Sequence, residues 1–193
     1  MVGAEACAQP VVNIVGERVA LGPLRRDLVP LYQRWVNDFG TQRTLGDVPR
    51  PRTAEDLAAL YECGTTDPAG AQFTIYERAT RRPIGIAELQ AIDHRARTAT
   101  LVLFIGPPVC RGRGYGTETV RLLRDYAFAA LGLRSLVLTV FAYNRAGIRA
   151  YERAGFRECG RRRQAHLLGG RLWDEIQMEC LAAEVSSADR GNR

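Results

Sequence analysis

The stretch from Cys110 to Thr119, CRGRGYGTET, interleaves three glycines with two arginines. It stands between a β-rich apolar run, TATLVLFIG, and a helix-like pattern that begins at about Thr117. Glycine lets a backbone turn through positive φ and lets a ligand approach where a Cβ would stand. A helix N-terminus adds unpaired N–H groups that attract an anion. Strand, glycine loop and helix together predict a phosphate cradle. The Walker loop in its usual form is excluded because it requires a lysine after its glycines, and all 27 basic residues here are arginine. The dinucleotide fingerprint fits badly too. Gly112 and Gly114 are followed by Thr117 where a third glycine or alanine belongs, and no acid stands about 20 residues on to hold a ribose. A glycine loop can also bind nothing, so the surrounding residues carry the decision.

Those residues alternate strand and helix character. VALGPLRRDLVPLYQRWVND starts as a short strand and passes into a helix whose Leu28, Leu31, Tyr32 and Trp35 recur at three and four residues. A second helix is predicted over TAEDLAALYECG, with Thr53 as N-cap, Asp56 completing an approximate capping box and Gly64 near the end. AQFTIYER, RPIGIAELQAI and TATLVLFIG read as an antiparallel meander. After the loop come a helix to Leu131 stopped by Gly132, the strand SLVLTVF, a helix from Arg145 to Ala154 ending at Gly155, and strands around FRECGR and RLWDEIQMEC. This order predicts a mixed α/β sheet in one domain over residues 1–182, with a flexible tail over 183–193.

The net charge of +6 favours anionic partners. Nucleic acid is not expected, because no basic stripe is interleaved with aromatics. No apolar run approaches a membrane span and MVGAEACAQP is too polar for a secretory signal, so the expectation is a soluble, cytoplasmic protein. Cysteines 7, 63, 110, 159 and 180 show no CxxC spacing and only His94 and His166 accompany them, so reduced thiols and no metal site are expected.

The meander, the loop and the following AYNRAGIRAYERAGF together resemble the GNAT superfamily of acyl-CoA N-acyltransferases. The likeness is to its branch of ribosomal-protein-alanine and spermidine acetyltransferases, which GIAELQAIDHRARTA also resembles. The family signature is Arg or Gln, two residues, Gly, one residue, then Gly or Ala, met here by Arg111, Gly114 and Gly116. The resemblance runs from about residue 16 to 182 and is strongest from Pro83 onward. It implies a GNAT fold, a mostly antiparallel central sheet of about seven strands flanked by about four helices. It implies acetyl-CoA as acyl-donor cosubstrate. The pyrophosphate would be held by the loop's main chain at Arg111, Gly112, Arg113, Gly114, Gly116 and Thr117. Phe104 and Ile105 would pair with the pantetheine arm and aim an N–H at the thioester oxygen, and Asn144 would hydrogen-bond the pantetheine. Tyr151 would approach the sulfur. Dimers are common in the family, so a homodimer is a further implication.

Three departures stand out. Pro107 and Pro108 compete for a single family proline, which leaves the strand register open by one residue. Gly147 replaces a serine often found three places after Asn144. The glutamate common in the strand before the loop is replaced by Thr100 or Leu101, depending on register.

Acyl transfer to an amine needs an uncharged amine, a stabilised oxyanion and a protonated leaving thiolate. A lysine-like amine of pKa about 10.4 is neutral about once in 2,500 molecules at pH 7, a cost of roughly 4.6 kcal/mol, while an α-amino group costs about 1 to 1.4. Glu88 is the candidate base, in an otherwise apolar strand whose alternation puts it on one face with Ile84, Ile86 and Gln90. Tyr151 is the candidate acid. Trp35, Glu88 and Asp174 are the candidate acceptor residues, with Tyr32, Phe39, Asp47 and Trp173 of similar type. The basic run Arg161 to Arg163 is a candidate contact for an acidic acceptor or for the adenosine phosphate of CoA, against the alternative of a solvated turn. The reading is N-acetylation of a small-molecule primary amine, an amino sugar, antibiotic or polyamine, by direct attack. A protein N-terminal amine is the alternative acceptor, and a non-catalytic acyl-CoA-binding protein the alternative class.

Overall fold

The computed structural model describes residues 9–46 and 50–185. An eight-stranded sheet in the order β1-β2-β3-β4-β5-β6-β8-β7 organises them, one strand more than expected. Its strands are β1 (Ile14–Val15), β2 (Val19–Pro23), β3 (Ala71–Glu77), β4 (Pro83–Asp93), β5 (Thr98–Ile105), β6 (Ser135–Phe141), β7 (Arg157–Leu168) and β8 (Arg171–Leu181). The helices are α1 (Val29–Val36), α2 (Phe39–Leu45), α3 (Ala54–Thr66), α4 (Tyr115–Ala129) and α5 (Arg145–Arg153). The predicted meander is β3 to β5. The short β1 and α2 lack a long enough apolar period to be read from sequence.

Local chemistry sets the element ends. Thr53 Oγ1 accepts the Asp56 amide and Asp56 returns the bond to the Thr53 amide, so the capping box starts α3 as predicted. The helix runs past Gly64 to Thr66, because nothing at Gly64 takes the chain out of helical φ. Gly132 and Gly155 do turn it, at φ 65° and 96°, after α4 and α5. Gly169 and Gly170, both at positive φ, close the β7–β8 hairpin. At the other end, Glu184 pairs with Arg157 and Val185 packs on the core, so the chain is still attached past residue 183.

The sheet has two dressed faces. Against one, α4 buries Val120, Leu123 and Ala127 on Ala87, Leu89, Leu101, Leu136 and Leu138. Against the other, α1 and α3 bury Tyr32, Trp35 and Leu57 on Ile86. Ile84 joins the first cluster and Ile86 the second, which corrects the expected shared face.

Every pairing is antiparallel except β5 with β6, and that one is short. Thr98, Ala99 and Thr100 pair with Ser135, Leu136 and Val137, after which the two strands part. The apolar ladder that would fill a sheet is therefore interrupted in its middle, beside the glycine loop.

Candidate active site

The parting of β5 and β6 opens a cleft of about 420 Å³. Its walls include Leu103, Phe104 and Ile105 from β5, Arg111 to Thr117 of the loop and α4, Thr44 of α2, and Asn144 to Arg153 around α5. Of the expected donor residues, Phe104, Ile105, Arg111, Gly112, Gly114, Gly116, Thr117, Asn144 and Tyr151 all line it. Elements far apart in sequence meet here because the single parallel crossover, β5 to α4 to β6, leaves the helix start beneath the strand opening.

Helix α4 begins two residues earlier than predicted, at Tyr115, with Gly114 as a left-handed N-cap at φ 85° and no side-chain cap bond. The first amides of a helix have no intrahelical acceptor, so this end offers N–H groups to an anion. A Cβ on Gly112 would meet no atom within 4 Å, and one on Gly116 only Leu103 Cδ1 at 4.0 Å. Glycine here keeps open a space that the protein does not fill, the fit expected of a backbone cradle for a pyrophosphate.

Two details refine the expected contacts. Gly106 N donates to Ile84 O, which makes Ile86 with Phe104 the next hydrogen-bonded pair of the β4–β5 ladder. Phe104 therefore turns its backbone groups toward β4, and Leu103 and Ile105 turn theirs toward the opening. The register left open by Pro107 and Pro108 resolves one residue away from Phe104, whose ring instead packs edge-on against Trp35. Arg111 uses its own amide on Pro108 O. Its guanidinium donates to Ile105 O, Gly106 O, Thr41 Oγ1 and Asp38 Oδ2 at 2.7 to 3.1 Å. The arginine of the signature thus ties the loop to α2.

Asn144 caps α5, its Oδ1 accepting the Gly147 amide at 2.9 Å. A Cβ at Gly147 would come within 2.7 Å of Asn144 Nδ2, which explains glycine at that position. The cap leaves Nδ2 as the free donor at the cleft. Tyr151, half-buried on the same helix, has its phenol pushed up to about 12 by burial. It keeps its proton throughout the neutral range.

The remaining candidates lie elsewhere. Arg113 points away, its guanidinium 5.4 Å from the Tyr115 ring and 4.0 Å from Glu77. Trp35 is buried in the α1–α3 cluster, and a Cβ on Gly106 would stand 2.4 Å from its ring. Tyr32 is likewise buried, bonded to Thr74 Oγ1, whereas Phe39 is exposed. Asp174 accepts Arg161 Nη1 and the Gln164 amide, both at 3.0 Å, and these bonds, the amide first, hold its carboxyl below the usual range. Asp47 lies outside the described residues. Arg161 and Arg162 are paired with Glu158, Asp174 and Glu175 on the β7–β8 hairpin, so the basic run belongs to that ladder and does not line the cleft.

Glu88 is half-buried on the α1–α3 face, opposite Val102 of β5 and Gln72 of β3. Gln90 Nε2 donates to it at 2.6 Å. Burial raises its pKa above the ordinary carboxylate value, and hydrogen bonds from Gln90 and Gln72 oppose the rise only in part. Sequence reasoning missed an aromatic wall next to α2. Phe141 and Tyr143 stack at 5.3 Å, His166 lies 4.3 Å from Phe141, and Trp173 meets Tyr143 edge-on at 5.5 Å. The Tyr143 hydroxyl donates to Arg43 O. No single motif announces a wall that three strands and a loop build together.

Among the described residues no group of three or more potential ligands is placed to hold a metal, and no helix is long and apolar enough to cross a membrane. The family model for the acetyltransferase (GNAT) domain matches residues 18–157. A spermidine N(1)-acetyltransferase of Escherichia coli K12 is 28% identical over 160 residues, 83% of this chain and 84% of that one. Its counterpart from Vibrio cholerae is 29% identical over 130 residues, 67% of this chain and 74% of that one. The crystal structure of the Vibrio cholerae spermidine N-acetyltransferase in complex with CoA and spermine superposes with a TM-score of 0.80 at 25% identity, covering 88% of this chain and 98% of that one.

Proposed function

The chain belongs to the GNAT acetyltransferase family, and on that premise we propose that it transfers the acetyl group of acetyl-CoA to the primary amine of a small molecule by direct attack. It is an acyl-CoA-dependent N-acetyltransferase with acetyl-CoA as cosubstrate. The observation that carries the reading is the gap between β5 and β6, open at one end onto the uncapped start of α4 and walled at the other by Tyr151.

In this reading the amides of Gly112 to Thr117 hold the pyrophosphate. The outward backbone groups of Leu103 and Ile105 run along the pantetheine arm, with one N–H serving the thioester oxygen as charge develops there. Asn144 Nδ2 steadies the arm. The Tyr151 hydroxyl, still protonated, donates to the sulfur as it leaves. A phenol at about 12 is a weaker acid than a thiol of about 8.5 in water, so full proton transfer waits until the desolvated thiolate has become more basic.

Glu88 is the base, acting directly or through one water from the opposite face of the sheet. Its pKa, raised by burial, makes its carboxylate a better proton acceptor than a surface carboxylate. Acids elsewhere on the α1, α2 and β7–β8 side are already committed. Asp27 pairs with Arg25, Asp38 with Arg111, Glu62 with Arg26, Asp174 with Arg161 and Glu175 with Arg162. Glu88 makes no ion pair among the described residues. One such carboxylate suits an acceptor that presents one amine near the sheet. The spermidine-acetylating relatives put polyamines first among the classes to test.

The test is thiol release from acetyl-CoA against spermidine, spermine, amino sugars, aminoglycosides and short peptides. Release with a small amine supports the reading. Release with peptides alone overturns the acceptor class in favour of protein N-termini. Tight acetyl-CoA binding with no release for any acceptor overturns catalysis in favour of a binding role.

A further inference from the structure

Among the described residues, all but one of those lining the donor cleft come from 103–153, the stretch that carries the end of β5, the glycine loop, α4 and α5. The exception is Thr44, brought in by α2 from the other half of the chain. Resting on the function proposed above, we propose that the Arg111 side chain is a positioning residue for the acceptor amine. It fixes α2 as the acceptor-side wall of the cleft, and donor affinity does not depend on its guanidinium.

Helix α2 needs a hold from outside itself. Its seven residues are too few to persist on helix propensity alone. Its buried residues are Thr41 and Gln42, both polar, so hydrogen bonds decide where it sits. Gln42 bonds to Val36 and Arg50, neighbours in the chain that do not tie the helix to the cleft. Distant elements hold its two ends. At the C-terminal end the Tyr143 hydroxyl donates to Arg43 O, and Gly46 lies against Phe141, whose ring would stand 2.6 Å from an added Cβ. At the N-terminal end Arg111 Nη2 reaches Thr41 Oγ1 at 2.8 Å and Asp38 Oδ2 at 3.1 Å, and Thr41 Oγ1 donates to Asp38 Oδ2 at 2.9 Å. Asp38 is itself the N-cap, accepting the Gly40 amide at 3.1 Å. Bonds from Thr41 first and then from Arg111 hold the Asp38 carboxyl below the usual range.

The same guanidinium also grips the backbone where β5 ends. Nε donates to Ile105 O at 3.0 Å, and Nη2 donates to Gly106 O at 2.7 Å. Ile105 is the last residue of β5 and lines the cleft. One side chain therefore sets the spacing between the end of β5 and α2. In the proposed pose the pyrophosphate takes the amides at the start of α4, and the Arg111 amide is bonded to Pro108 O, so the wall left to the acceptor is that of α2. Replacement by glutamine separates the two grips. Glutamine carries its Nε2 where arginine has Nε, so the bond to Ile105 O stays within reach and the bonds to Thr41 and Asp38 do not.

The experiment compares the full-length wild type, Arg111→Gln, Thr41→Val and the double variant after thermal melts confirm folding. Calorimetry gives acetyl-CoA affinity. Thiol release at saturating acetyl-CoA gives the acceptor KM, with spermidine as the probe or, if it is not turned over, the panel amine turned over fastest. In Arg111→Gln the acceptor KM should rise about tenfold or more, the size of a lost charge-assisted bond, while acetyl-CoA affinity stays within about twofold. Thr41→Val should raise the acceptor KM in the same direction, and the double variant should be no worse than Arg111→Gln, because both act through one contact. A folded Arg111→Gln that weakens acetyl-CoA and leaves the acceptor KM level overturns the role, since the guanidinium then serves the pyrophosphate. Thr41→Val leaves the loop untouched and decides the matter if Arg111→Gln does not fold: an unchanged acceptor KM there overturns the role as well. A wild type that releases no thiol with any amine of the panel overturns the proposed function and this role together.

Discussion

The two sides of the sheet opening handle polarity in opposite ways. On the donor side, around the glycine loop and α5, the helix start is uncapped and Arg18, Arg121, Arg149 and Arg153 have no acidic partner among the described residues. On the proposed acceptor side, several charges around α1, α2 and the β7–β8 hairpin are spent on one another, through Arg25 with Asp27, Arg111 with Asp38, and Arg161 with Glu158 and Asp174. Unmet hydrogen-bonding capacity at a concave surface marks a place for a ligand, because folding without one would leave it unused. Saturated charge marks scaffolding. Glu88, the proposed base, is held by the neutral amides of Gln90 and Gln72.

The largest break in this contrast is expected from Gly116→Leu. The added side chain has only Leu103 near its Cβ, so the fold should tolerate it, while the branched tip fills the cradle. Losing even one charge-assisted contact to the pyrophosphate corresponds to about ten- to a hundredfold. Calorimetry should show acetyl-CoA binding reduced by at least that much, with Tm little changed.

Tyr151→Phe should lower kcat by roughly a hundredfold, the low end of acid catalysis. The KM for acetyl-CoA should stay nearly level, because packing against Phe156 survives without the hydroxyl. Steady-state kinetics check the split, and an equal kcat would reduce Tyr151 to packing.

Glu88→Gln should lower kcat about tenfold or more at neutral pH and remove the acidic limb of the pH profile. Only the ionised carboxylate is a base, so wild-type activity should fall as pH drops through its raised pKa, at a higher pH than an ordinary glutamate would give. The stability change has the opposite sign. A folded-state pKa above the unfolded value means that the native protein binds more protons in that interval, so wild-type stability falls as pH rises through it. The glutamine variant escapes this cost. Its Tm should exceed that of the wild type at pH 7, and the difference should vanish below the pKa of an unperturbed glutamate.

The smallest effect belongs to the saturated side. Asp174→Asn removes a partly exposed ion pair with Arg161 and should shift the denaturant midpoint only slightly. The acceptor KM should not move. A large rise in it would break the comparison and return Asp174 to the acceptor site.

Legibility in the sequence divided along the same line. The cradle could be read because backbone geometry is encoded locally. Glycines at 112, 114 and 116 before a helical period leave few other structures. The capping box at Thr53 and Asp56 and the stops at Gly132 and Gly155 were legible for the same reason. The acceptor side was not. An aromatic or acidic residue in a helical pattern looks the same whether it faces a substrate or a core. Trp35 turned out to be core, wedged against Gly106, and Asp174 an ion-pair partner.

What the sequence by itself determined was the order of elements, the open glycine loop before α4 and the reading of an acyl-CoA enzyme, all matters of short-range backbone constraint and motif. Only the tertiary structure decided three things. The register gives the open edge of β5 to Leu103 and Ile105 instead of Phe104, the signature arginine is spent on tying the loop to α2, and Arg121 ties α4 to the end of α5 through the Arg153 carbonyl. The reason is physical. Strand register and charge pairing depend on partners far away in sequence, as Arg111 and Asp38 are at 73 positions, and no local pattern carries that information.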